Sequence, residues 1–113
     1  MSEFEAMLLS VAIEAPIAYA LVAVTGWSCR GPLNAAIAIS LATAVTHPQL
    51  WAGALWLYPR MGFWPTVVCA EALVVAVEAA IIIWTTGLSA RRALAVSAAA
   101  NGASTLVGVA LYA

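Results

Sequence analysis

Lysine and aspartate do not occur in this chain, histidine occurs once, and charged residues make up only 8% of its 113 positions. A soluble domain carries about 25% charged residues, so an ordinary soluble globule is excluded. Four arginines against five glutamates form neither a basic patch for phosphates nor an acidic tail, which removes nucleic acid as a partner. With His47 alone, bis-histidine haem within one chain cannot be built. Without aspartate a Ser-His-Asp triad cannot be built either, although a triad completed by glutamate stays open. No GxSxG, HExxH, CxxC or P-loop pattern occurs, so hydrolase, zinc-protease and nucleotide chemistry lack their motifs. The ExxH spacing of di-iron bundles is missing as well. Only two cysteines are present. Cys29 falls in an expected turn and Cys69 inside an expected span, a placement that argues against a disulfide and favours two small hydrophobes.

What the chain does have is hydrocarbon, at 65% of its residues. Breaks at "TGWSCRGP", "HPQ", "YPRMGFWP" and "TGLSARR" divide it into spans near 6–25, 33–57, 64–86 and 93–112. Each is close to the roughly 20 residues that carry a helix across a hydrocarbon core. The expected fold is therefore all-α: a polytopic membrane protein of four transmembrane helices, forming a single integral membrane domain over residues 1–113. The first segment has signal-peptide length, but its leading charges are Glu3 and Glu5 where a secretory leader is basic, so it reads as a retained span. Within the second span Pro48 removes a backbone donor and disfavours α geometry at His47, which predicts a kink or a half-span followed by a short interfacial helix.

Trp27 and Trp84 fall at one expected boundary, and Trp51, Trp56, Tyr58, Trp64 and Tyr112 gather toward the other, in the manner of interfacial belts. Arg30, Arg91 and Arg92 stand on the first side against Arg60 on the second. The positive-inside rule then puts both arginine-bearing turns in the cytoplasm and both termini outside it. Those two turns, "TGWSCR" and "TGLSAR", repeat at an offset of 61. The same offset aligns Ala36, Ser40, Thr43 and His47 with Ser97, Asn101, Ser104 and Gly108, each set forming one stripe on a helix. The chain thus reads as two tandem helical hairpins, a parallel repeat.

Against this background Glu14, Glu71 and Glu78 stand out, because a charge at mid-membrane costs about 2.5 to 3.5 kcal/mol on insertion scales. In "EALVVAVEA" the two carboxylates are seven residues apart, two helical turns, and look the same way. All four arginines sit in turns, so nothing cationic lies at their depth. The glutamates are therefore expected to be protonated, hydrogen-bonded or holding a cation. Their supporting polar seam is expected from Ser40, Thr43 and His47 on the second span and Ser97, Asn101, Ser104 and Thr105 on the fourth. Glu14, His47, Glu71 and Glu78 also have the donor types of a divalent-metal site. His47 reads as an interfacial cap on the break at Pro48, with a single axial ligand to a pigment or a metal as the alternative. Plain interhelical hydrogen bonding remains the alternative for the whole set, as does close packing for the small-residue stripe of Ala100, Ser104 and Gly108.

The early "EAP" span, the "THPQLW" break, the "EALVVAVEA" span and the closing "SAAANGASTLVG" resemble the small uncharacterised four-span integral membrane proteins of bacteria. The resemblance implies the layout and a bacterial cytoplasmic membrane, and brings no activity and no functional residue with it. Two functions follow from the residues. The first is a small transport or ion-binding protein whose carboxylate seam takes up protons or a cation, working as a homo-oligomer because four short spans seldom enclose a path. The second is a non-catalytic subunit of a larger respiratory or photosynthetic membrane complex. A membrane enzyme trails both; the residues do not name a cofactor, and a bound cation is compatible with them. The transport reading predicts that Glu71→Gln combined with Glu78→Gln abolishes pH- or cation-dependent flux in liposomes while the protein stays folded; unchanged flux would remove the site as drawn from sequence.

Overall fold

The computed structural model describes residues 2–27 and 30–112, with Tyr112 described by its backbone only. Nearly all of these residues are helical, in α1 (Glu3–Thr25), α2 (Pro32–Met61), α3 (Phe63–Thr86) and α4 (Ala90–Tyr112). The ends follow from local chemistry. Ser2 caps α1 by accepting the Glu5 N–H at 3.1 Å, and Glu3 and Glu5 place negative charge where the helix dipole favours it. Pro32 opens α2, where its missing N–H costs nothing. Gly26 and Gly87 end α1 and α3 in the left-handed conformation, their N–H groups returning to Val22 at 2.8 Å and Ile83 at 3.0 Å.

A single residue, Gly62, joins α2 to α3. Its φ of 84° allows the reversal, its N–H closes α2 on the Tyr58 carbonyl at 2.9 Å, and its own carbonyl accepts the Thr66 hydroxyl at 2.6 Å. α2 runs unbroken through Pro48 and Pro59, so the expected half-span with a separate interfacial helix does not form. Each proline removes one hydrogen bond and leaves the ladder on both sides intact. The repeated turns are alike as far as their glycine caps and then diverge. At the offset of 61, Ala90 at the start of α4 aligns three residues ahead of Pro32 at the start of α2. Cys29 lies outside the described residues, while Cys69 is a free, exposed thiol on α3.

The helices form a ring in which α1 packs on α2, α2 on α3, α3 on α4 and α4 back on α1. Short connections make neighbours antiparallel, so the turns after α1 and α3 share one end and Gly62 marks the other. At the first end the Arg30 guanidinium donates to the Thr85 carbonyl at 2.7 Å, and the Arg92 guanidinium lies 5.7 Å from the Trp27 ring. At the Gly62 end Arg60 stacks at 3.8 Å on Trp56.

The bundle is inverted relative to a soluble protein. Glu14, Thr43, Glu78, Ser97 and Asn101 are buried, while Val24, Leu41, Leu73, Trp84 and Leu106 face outward. Helices apolar on their outer faces belong in lipid. Three of them, α1, α3 and the Ala90–Leu111 stretch of α4, are long and apolar enough to cross a membrane, which marks an integral membrane protein. α2 has the length, but its apolar run is cut near the middle by His47, Pro48 and Gln49, and it does not join that set.

Gly62→Ala is expected to cost about 1–3 kcal/mol through backbone strain alone, since nothing lies within 4 Å of the added methyl. Gly53→Ala, inside α2 and equally free of contacts, is expected to be neutral or stabilising by up to about 1 kcal/mol. Unfolding in mixed detergent micelles measures both, and equal effects would show that the connection is not held by the glycine conformation.

Candidate functional site

Four helices each bring polar side chains to the same level of the bundle. α1 supplies Glu14, on a helix that continues through Pro16, and α2 supplies Thr43 and Thr46, three residues apart on one face. α3 supplies Glu78, with Glu71 two turns nearer Gly62. α4 supplies Ser97, Asn101, Ser104 and Thr105. Glu14 and Glu78 are 2% and 1% exposed, as deep as the aliphatic core. An isolated carboxylate at that depth is penalised by several kcal/mol, so its partners decide whether the bundle is stable.

Those partners are hydroxyls and one amide. Thr43 Oγ1 donates to Glu14 Oε1 at 2.5 Å and lies 3.5 Å from Glu78 Oε1, placing one hydroxyl between two carboxyl groups. Ser104 Oγ is 2.7 Å from the other Glu14 oxygen. Glu78 Oε2 is met by Thr46 Oγ1 at 2.7 Å, and Glu78 Oε1 by Asn101 Nδ2 at 3.1 Å. The orientation of the Asn101 amide follows from its second contact: Nδ2 also donates to the Ser97 carbonyl at 2.9 Å, which only the nitrogen can do. Ser97 in turn donates to the Val75 carbonyl at 2.9 Å, tying α4 to α3.

Of the seam expected from sequence, Glu14, Glu78, Thr43, Asn101 and Ser104 come together, and Ser97 joins through Asn101. Glu71 stands apart: Thr105 Oγ1 donates to its Oε2 at 2.6 Å, and its buried Oε1 has no protein partner. Ser40 donates to the Ala36 carbonyl one turn back at 2.8 Å and reaches no carboxylate. His47 pairs with Glu3, Nδ1 to Oε1 at 3.0 Å, and stacks on Trp51 with ring centroids 6.0 Å apart. It therefore straps the start of α1 to α2. Among the described residues no group of three His, Cys, Asp or Glu could hold a metal, so the ligand set of Glu14, His47, Glu71 and Glu78 is not assembled. Thr46 was not legible as a partner, although its position three residues after Thr43 places it on the same helix face as Thr43.

The site divides the bundle in two. Toward the arginine-bearing turns the interior is filled by a continuous apolar cluster that includes Val22, Ile39, Ile82 and Val96. Toward Gly62 the interior continues in polar pairs, Glu71 with Thr105 and His47 with Glu3.

The sequence matches no protein-family model, and no curated protein or solved structure matches it either. The site is therefore interpreted from its own geometry. Thr43→Val, which keeps the side-chain shape and removes the bridging hydroxyl, is expected to destabilise the bundle by about 1 kcal/mol, within the range of interhelical hydrogen bonds in membranes. Ser40→Ala, outside the network, is expected to change stability by less than about 0.5 kcal/mol. Chemical denaturation in detergent compares the two, and an equal loss would place no special weight on the bridge.

Proposed function

We propose that this is a small membrane transport protein that binds a proton or cation at the buried carboxylates Glu14 and Glu78. The supporting observation is a pair of interior carboxyl groups on different helices, surrounded by hydroxyls and an amide and holding no salt bridge among the described residues. Intramembrane carboxylates of this kind are expensive, and ion pathways and proton relays are among the roles that retain them. In this reading α2 crosses the bilayer with the other three helices, as two tandem hairpins, with the arginine-bearing turns in the cytoplasm and both termini outside. The ion enters from the Gly62 end, where the polar pairs lie. A bundle with extents of 43 × 23 × 19 Å has little room for a path of its own, which favours a homo-oligomer.

A second reading, a non-catalytic subunit of a larger membrane complex, draws on one observation. Among the described residues there is no extramembrane domain, the connections being as short as the single Gly62.

Flux assays in liposomes test the first reading. Glu14→Gln and Glu78→Gln are each expected to reduce ion flux at least tenfold, and Glu71→Gln to reduce it less, because Glu71 is bonded to Thr105 alone. Wild-type flux in both Glu14→Gln and Glu78→Gln, with folding verified by circular dichroism, would overturn transport at this centre.

A further inference from the structure

We propose that the species bound at this centre is the proton, and that Ser104 and Thr46 act as hydroxyl rotors that let Glu14 and Glu78 gain and lose it. The proposal rests on the reading of these carboxyls as an exchange centre and names what they exchange. Each hydroxyl has one proton to give. Ser104 Oγ lies 2.7 Å from Glu14 Oε2 and 3.1 Å from the main-chain carbonyl of Asn101. Thr46 Oγ1 lies 2.7 Å from Glu78 Oε2 and 2.9 Å from the main-chain carbonyl of Ala42. Both hydroxyls therefore stand between a carboxyl oxygen and a carbonyl that can only accept.

Two complete hydrogen-bond arrangements result. With the carboxylate ionised, the hydroxyl donates to it. When a hydronium ion gives its proton to Glu78 Oε2 and leaves as water, the new O–H donates to Thr46 Oγ1, and the Thr46 hydroxyl turns to donate to the Ala42 carbonyl. Glu14 Oε2, Ser104 and Asn101 follow the same pattern. The remaining oxygens keep their donors throughout, Thr43 on Glu14 Oε1 and Asn101 Nδ2 on Glu78 Oε1. Neither state leaves a buried donor or acceptor unpaired, so the proton can come and go without the penalty that such a group carries.

A metal cation has no comparable fit. It requires lone pairs, while the Asn101 amide turns its donor side to Glu78 and both oxygens of each carboxyl already meet hydrogen-bond donors. The titratable groups that face the pair are Glu71, two turns from Glu78 on α3, and His47 on α2, the latter held by Glu3 of α1. α4 offers none there, its Arg91 and Arg92 lying in its first turn at the opposite end.

The test is infrared difference spectroscopy on the full chain in liposomes, following the carbonyl stretch of protonated carboxylic acids across a pH titration. The wild type is expected to show reversible bands, one lost in Glu14→Gln and another in Glu78→Gln, with sodium, potassium, magnesium and zinc leaving them unchanged. Thr46→Val is expected to shift the Glu78 band and Thr46→Ser to restore it; this pair keeps the test sound if a glutamine variant fails to fold. The absence of a reversible band, bleaching of the bands by one of the four cations, or identical spectra for wild type and Thr46→Val would each overturn the proposal. Bands that titrate as expected in a protein without flux would uphold proton binding and overturn transport alone, whereas flux without titrating bands would do the reverse.

Discussion

The constraint that orders this bundle is the pair of buried carboxyl groups, Glu14 and Glu78, with the Thr43 hydroxyl set between them. A carboxyl group in a medium that offers no water must find its partners within the protein. Because Glu14 and Glu78 sit on α1 and α3, which are not neighbours in the ring, only α2 and α4 can supply those partners. Thr43 and Thr46 do so from one side and Asn101 and Ser104 from the other. The requirement fixes the register of all four helices at one level. Hydrophobic burial cannot do this in lipid, where tails are as apolar as leucine.

Small residues make the approach close enough for such bonds. Ala18, Ala35, Ala38, Ala42, Ala79, Ala93 and Ala100 are all buried, so the helices meet over alanine faces that bring backbones together. Where hydroxyls are not needed for the carboxyls they return to their own helix, as Ser40 does to Ala36 and Thr85 to Ile81, satisfying themselves without directing a neighbour. The difference between Ser40 and Thr43 is thus one of level: they share a face, but Ser40 lies almost one turn nearer the arginine-bearing end and reaches no carboxyl, whereas Thr43 stands at the depth of Glu14.

Composition and the spacing of the breaks made the all-α membrane class legible, and the expected span ends fall at the observed ones at Thr25 and Thr86 but stop short of Met61 and start after Ala90. The course of α2 was misjudged at Pro48, because a proline signals one lost hydrogen bond and says nothing of whether the ladder resumes beyond it. Among the site residues, the charges were visible because glutamate in hydrocarbon is conspicuous at any register. Their partners were half visible: a stripe at four- and three-residue spacing names a face, but which hydroxyl on it reaches across depends on helix rotation and tilt. That is why Ser40 was included and Thr46 omitted. His47 joins the expected carboxylate seam by depth and kind, whereas its partner, Glu3, lies 44 positions away and enters the sequence reading only as a leading charge that argues against a secretory leader.

The two halves of the interior separate the functional readings more sharply than the carboxyls themselves do. A bound proton is compatible with both a carrier and a fixed subunit, since either gains by satisfying Glu14 and Glu78. A carrier must in addition release what it binds toward the arginine-bearing end, and there Val22, Ile39, Ile82 and Val96 close the bundle with side chains that offer a proton no acceptor. Transport therefore requires that these four helices part or slide at the apolar half while remaining joined at Thr43. The packing there intersperses these larger groups with the alanines Ala18, Ala35, Ala79, Ala93 and Ala100. The asymmetry between a hydrogen-bonded waist and an apolar cluster toward the arginine-bearing turns is thus the feature that a transport mechanism would have to use.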